Sequence, residues 1–203
     1  MGCICFKQSL EVEGVKYKVI RHLADGGFSS VDLVENIRTG KKFAVKRITC
    51  HSIEDQNVAK QEIEINKRYS KHPNIITLVG SVLSGSADIV HNVTSEVILV
   101  FPFFERGSLH DELERRKLTG NPLSQASLLS MFHSLCQAVR ELHQAEPPLA
   151  HRDIKVCLSA LIHDFSQPLP ISQTLDNNSI LYWYIFIYVG RNLFKKLVPY
   201  QPQ

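Results

Sequence analysis

The sequence predicts an α+β chain in two parts: a sheet-rich lobe carrying one helix, then a helical lobe. Three observations carry that expectation. Strand and turn signals crowd residues 12–48 and return at 72–104. One helix-like run, residues 52–71, lies between them. After "ERGS" (Glu105–Ser108) only helical signals follow, as far as residue 144.

The elements follow in order. "YKVIRHLA" and "SSVDLVEN" flank the glycine pair Gly26–Gly27. In "RTGKKFAVKRI" a turn at Thr39–Gly40 precedes the alternation Phe43, Val45, Arg47. Together they predict a three-stranded antiparallel meander. "SIEDQNVAKQEIEINKRYSK" reads as a helix capped by Ser52, with Glu54 and Asp55 in its first turn and basic residues toward its end. "HPNIITLVGSVL" reads as a turn and a strand. "SEVILVFPFF" is apolar almost throughout, so it predicts a strand buried on both faces. Beyond the boundary, Ser108 caps "LHDELERRK", "GNPLS" is a loop, and Ser124 caps "QASLLSMFHSLCQAVRELHQ". In that last helix Leu128, Phe132, Leu135, Val139 and Leu142 form one apolar stripe.

Bulk properties narrow the function. The chain has 203 residues, 44% of them hydrophobic and 21% charged, as in a soluble globular protein. A net charge of +3 with no concentrated basic run argues against a nucleic-acid partner. The five cysteines, at 3, 5, 50, 136 and 157, show no metal-site spacing, so free thiols in a reducing compartment are expected. The longest apolar run, Ile180–Val189, is about half a bilayer span. No secretory signal precedes it.

The start, "MGCIC", permits two readings. Gly2 is placed as an N-myristoylation acceptor, with Cys3 and Cys5 beside it for palmitoylation, although Phe6 stands where the fuller pattern has Ser or Thr. Two lipid signals would hold the chain stably to a membrane. The other reading is a disordered terminus with two incidental cysteines.

Four features that carry chemistry occur in a fixed order. In "LADGGFSSV" (Leu23–Val31), Gly26–Gly27 lets backbone approach a polyphosphate; the alternative is a plain hairpin turn. In "FAVK", Lys46 late in a strand offers a point charge to phosphate oxygens; the alternative is a snorkelling surface lysine. Glu62, on the helix, would hold that ammonium. Glu64 competes, but lies about 200° away around the helix. In "HRDIK" (His151–Lys155), Asp153 can accept a hydroxyl proton and Lys155 can reach a transferred phosphate.

With those residues in view, the stretch from about Tyr17 to Lys155 resembles a eukaryotic protein kinase. Ala24 in place of the usual first loop glycine, "HPNI", "FPFFERGSL" and "PPLAHRDIK" resemble the Numb-associated kinase group. The resemblance implies a bilobal fold with a complete N-lobe (17–104) and the first helices of a C-lobe (105–155). It implies ATP and Mg²⁺ as cofactors and a protein substrate. It makes Lys46 the holder of the α and β phosphates, paired with Glu62. Leu23, Gly26, Gly27 and Phe28 would belong to the loop over ATP, and Val31 and Ala44 would sandwich adenine. Phe101 would be the gatekeeper, and Pro102 and Phe104 would lie in the hinge. Pro102 fits a position that supplies only its carbonyl. Asp153 would be the base, and Lys155 points to Ser/Thr rather than Tyr as acceptor. With residues 1–16 as a lipid anchor, the resemblance implies the cytoplasmic face of Golgi or plasma membranes.

The pattern breaks after Lys155. The family places a metal-binding Asn five residues beyond the base; here that residue is Leu158, which has no ligand atom. Asp164, in "HDFSQ", is a weak candidate for the metal aspartate because it comes too early, with no pair of strands before it. Residues 156–203 are expected to be a non-homologous tail, disordered or aberrant, as from a retained intron or frameshift. Ile180–Val189 there would aggregate if exposed, or pack over the Leu128–Leu142 stripe. Two functions follow as expectations: a serine/threonine kinase impaired by truncation, or a membrane-tethered, non-catalytic nucleotide-binding module.

Overall fold

The computed structural model describes residues 9–85, 94–105, 107–150, 154, 159–162 and 182–185. They fall in two units, 9–70 with 77–103, and 71–76 with 104 onward.

The first unit is a six-stranded antiparallel sheet with one helix. Its strands are β1 (Ser9–Val12), β2 (Val15–Gly26), β3 (Ser29–Asn36), β4 (Lys42–Cys50), β5 (Gly80–Ser84) and β6 (Ser95–Pro102); the helix is α1 (Ile53–Tyr69). Spatial order is β1-β2-β3-β4-β6-β5, so the expected meander β2–β3–β4 forms its middle. Within residues 1–16, expected to be the anchor segment, Ser9–Val12 form β1. The cause is local. Leu10 and Val12 point into the sheet's apolar cluster, and Glu13 and Gly14 both take positive φ, the geometry a tight two-residue hairpin requires. Glu13, a non-glycine residue in that region, is held by the Ser81 amide, which donates to its Oε1 at 3.2 Å.

The two faces of this sheet differ. On one, Val12, Tyr17, Val34, Val45, Ile98 and Val100 form an apolar cluster, with the Tyr17 ring edge-on to Phe43. On the other, α1 packs on β4 and β6. β6 is buried on both faces, from Val97 to Phe101. Ser52 caps α1 as expected, its hydroxyl accepting from the Asp55 amide at 3.0 Å.

The second unit holds α2 (Leu109–Thr119) and α3 (Gln125–His143). Ser108 and Asp111 form a reciprocal capping box on α2, and Gly120 ends it in the left-handed conformation. Ser124 caps α3. The expected α3 stripe is only partly right. Met131, Ala138 and Leu142 are buried, whereas Leu128 and Phe132 are exposed. The buried face is turned by about 60° from the stripe's centre at 100° per residue. The helix carries more apolar residues than one face can bury, and its neighbours select which are covered. Residues 71–76, read with the sheet lobe, cluster here instead. Ile75 and Ile76 are fully buried, and His72 feels the charges of Glu141 and Arg140 on α3.

The tail, read as disordered or aberrant, contributes an antiparallel pair, β7 (Ser159–Ile162) and β8 (Tyr182–Ile185). β8 comes from the β-branched and aromatic run Ile180–Val189, a composition that favours strands.

Candidate functional site

Register assembles the site. Val31 pairs with Lys46, Leu33 with Ala44, Ala44 with Phe101 and Lys46 with Leu99. Directly opposed residues of antiparallel strands project from the same face. Val31, Ala44, Lys46 and Phe101 therefore share one face of the sheet. The face is the one α1 packs against, because Glu62 of α1 meets Lys46 there: Nζ donates to Oε1 at 2.6 Å.

Helix spacing explains why Glu62 makes this contact. Gln56, Ala59, Glu62, Asn66 and Tyr69 recur at three and four residues and are the buried face of α1. Glu64 is exposed. The pair is nearly dry, with side-chain exposures of 12% for Lys46 and 3% for Glu62. Burial lowers the Lys46 pKa and raises that of Glu62, and the attraction between the two opposes both shifts. An ammonium fixed in this way on a sheet face suits a polyphosphate anion.

The glycine loop is a two-residue turn, Gly27–Phe28, closed by the pair Gly26 and Ser29. A Cβ on Gly26 would come within 2.7 Å of Ser29 Oγ; one on Gly27 would meet nothing within 4 Å. Gly26 thus serves the turn, and Gly27 leaves the approach open. The tip is tied down: the Thr49 amide donates to the Phe28 carbonyl at 3.1 Å, and the Phe28 ring meets His51 edge-on. Leu23 sits at a register shift of β2 between His22 and Ala24. Pro102 ends β6 opposite Phe43, on the face away from Phe101. Phe104 belongs to the second unit, where its carbonyl accepts from the Gly107 amide at 3.0 Å.

Gly2, Cys3, Cys5, Asp153, Lys155, Leu158 and Asp164 lie outside the described residues. Among the described residues no group of His, Cys, Asp or Glu could hold a metal ion, no helix is long and apolar enough to cross a membrane, and Cys50 and Cys136 are free thiols.

One charged array has no counterpart in the sequence reading. Asp25, His22, Asp32, Arg47 and Glu96 form a chain over four strands. His22 Nε2 lies 3.1 Å from Asp25 Oδ2, and its Nδ1 lies 3.1 Å from Asp32 Oδ1. Arg47 Nε donates to Asp32 Oδ2 at 3.2 Å, and its Nη1 to Glu96 Oε2 at 3.3 Å. The only sequence signal was polar Asp32 at an alternating position in "SSVDLVEN".

The protein kinase domain family matches residues 17–157. Serine/threonine-protein kinase 16 of Rattus norvegicus is 34% identical over 167 residues, 82% of this chain and 52% of that protein. The Homo sapiens protein of that name is 35% identical over the same coverage. A probable serine/threonine-protein kinase of Dictyostelium discoideum is 35% identical over 159 residues, 75% of this chain and 42% of its own. The chain spans about half the length of the mammalian relatives it matches.

Proposed function

Because this chain belongs to the protein kinase family, and by family is a serine/threonine kinase, we propose that it binds ATP on the Lys46 face of its sheet and directs phosphoryl transfer to a protein hydroxyl. The observation that carries this reading is the buried Lys46–Glu62 pair on the same face as Val31, Ala44 and Phe101. Lys46 would hold phosphate oxygens and Glu62 would fix its position. Val31 and Ala44 would enclose the base, with Phe101 behind it. Gly26 and Gly27 would let the loop backbone approach the phosphates. Pro102 and Phe104 would line the hinge. Asp153 would take the acceptor hydroxyl's proton, and Lys155 would offset charge on the moving group. When bound, ATP supplies the phosphoryl group and Mg²⁺ neutralises its oxygens. Leu158 offers no metal-ligand atom, so no step is assigned through the metal.

Leu158 also favours a second reading: a non-catalytic, membrane-tethered module that binds nucleotide and competes for partners. Gly2, Cys3 and Cys5 would carry the lipids, at the cytoplasmic face of Golgi or plasma membranes.

Both readings are tested with the purified chain and a Lys46→Met control. Phosphate incorporation above that control sinks the second reading. ATP binding without incorporation sinks the first, and absence of ATP binding sinks both. For the tether, the Gly2→Ala chain is expected to leave the membrane fraction; unchanged partitioning rejects it.

A further inference from the structure

We propose that His22 is a positioning residue for the glycine loop: as an imidazolium it clamps the arm of β2 bearing Gly26–Gly27 onto β3, and on losing a proton it loosens that arm. The inference rests on reading Gly26–Gly27 as the loop over the phosphates of ATP.

The geometry specifies the charged form. Each ring nitrogen of His22 lies 3.1 Å from a carboxylate oxygen, Asp25 on one side and Asp32 on the other. A neutral imidazole has one N–H, so one of the two carboxylates would face a lone pair; only the doubly protonated ring donates to both.

The position gives the clamp its purpose. β2 has two register shifts against β3, between Val19 and Arg21 and between His22 and Ala24. Each interrupts the ladder and bends the strand. The pair His22–Asp32 sits between them, in the arm that leads to Gly26 and Gly27. With the ladder interrupted on both sides, a side-chain tie has more to do there than in a regular strand. Its far end is anchored, since Asp32 is also held by Arg47 of β4, and Arg47 by Glu96 of β6. The tie thus runs from the loop's arm to the middle of the sheet.

The charged groups facing the ring are Asp25 on its own strand and Asp32 on β3, with Arg47 and Glu96 successively behind Asp32. The hydrogen bond to Asp32, then that to Asp25, raises the imidazole's pKa, with a smaller opposing effect of desolvation. A histidine raised in this way keeps its ties at lower pH. It loses them as pH rises through a value above the ordinary ~6.5. The ring is 48% exposed and Asp25 79%, so solvent screens the pairs and the effect is a modulation of the loop rather than a gate.

The test uses the whole chain and its His22→Lys and His22→Gln variants. Exchange of the backbone amides in the β2–β3 ladder next to the loop, Ala24–Gly26 and Ser29–Val31, and the affinity for ATP are measured from pH 6 to 8.5. Lysine keeps the positive charge throughout this range, so His22→Lys is expected to hold the loop equally at both ends. The ratio of wild-type to His22→Lys Kd cancels the titration of ATP's own phosphate. That ratio is expected to rise about threefold across the range, with faster amide exchange in wild type at high pH only. His22→Gln is expected to show fast exchange at every pH. Equal exchange in wild type and His22→Lys across the range overturns the clamp. If ATP binds at no pH, the ATP reading fails, and amide exchange alone still decides the clamp.

Discussion

The two faces of one sheet carry two arrays of opposed charge, and burial separates them. On the α1 face Lys46 and Glu62 are almost dry, and each is pushed toward its neutral form. On the opposite face His22, Asp32, Arg47 and Glu96 meet at 3.1–3.3 Å, longer than the 2.6 Å of the buried pair, and water reaches the ends of the array. Burial and distance grade these ion pairs together. A buried pair is costly to break because the surviving charge has no solvent. An exposed one is cheap, screened by salt, and free to respond to pH.

Removing Lys46 gives the comparison its severest trial. Lys46→Met leaves Glu62 buried without its cation, so the chain is expected to lose about 3 kcal/mol in urea denaturation, together with nucleotide binding. Lys46→Met combined with Glu62→Leu is expected to regain much of that stability and none of the binding. Glu64→Gln, on the exposed side of the same helix, is the control and is expected within about 0.5 kcal/mol of wild type. Equal losses for Glu64→Gln and Lys46→Met would show that burial does not set the difference.

Next in size is Asp32→Asn. Asp32 is 15% exposed and joins Arg47 to His22. Arg47 is 16% exposed, so the middle of the array is partly buried. The expected loss is about 1 kcal/mol at low salt, of which the share from exposed His22 fades in about 1 M salt and the share from Arg47 persists. A loss that vanishes in salt would place the Asp32–Arg47 pair among the exposed ones.

The same contrast shows what could be read from the residues alone. Lys46 and Glu62 were legible because one lies in an alternating strand and the other on a helix whose opposite side is occupied by Glu64. Both patterns are local. The meander, β6 and the caps at Ser52, Ser108 and Ser124 were legible for the same reason. The array from Asp25 to Glu96 was not, since it depends on cross-strand register and on two register shifts in β2 that no local pattern marks. β1 has no strong local mark, because its turn is Glu13–Gly14 rather than a stronger hairpin pair. The buried face of α3 is not legible in the residues alone, because neighbours choose it. Met131, Ala138 and Leu142 are covered while Phe132 is 64% exposed.

The smallest effect lies at the far end of the exposed array. Glu96 is 38% exposed, and both its oxygens accept weakly from Arg47 Nη1, Oε1 at 3.4 Å and Oε2 at 3.3 Å. Arg47 keeps Asp32 when Glu96 is neutralised, and a glutamine keeps one of the two acceptor oxygens while its amide nitrogen turns to solvent. Glu96→Gln is therefore expected to cost about 0.3 kcal/mol, measured as a shift in urea midpoint at unchanged slope. Double-mutant analysis with Asp32→Asn sharpens the point. If the array is a row of separately solvated pairs, the two losses add; if it acts as one unit, the double variant loses less than their sum. A loss above about 1 kcal/mol from Glu96→Gln alone would mean that Arg47 depends on it for its position, and the exposed face would then behave like the buried one.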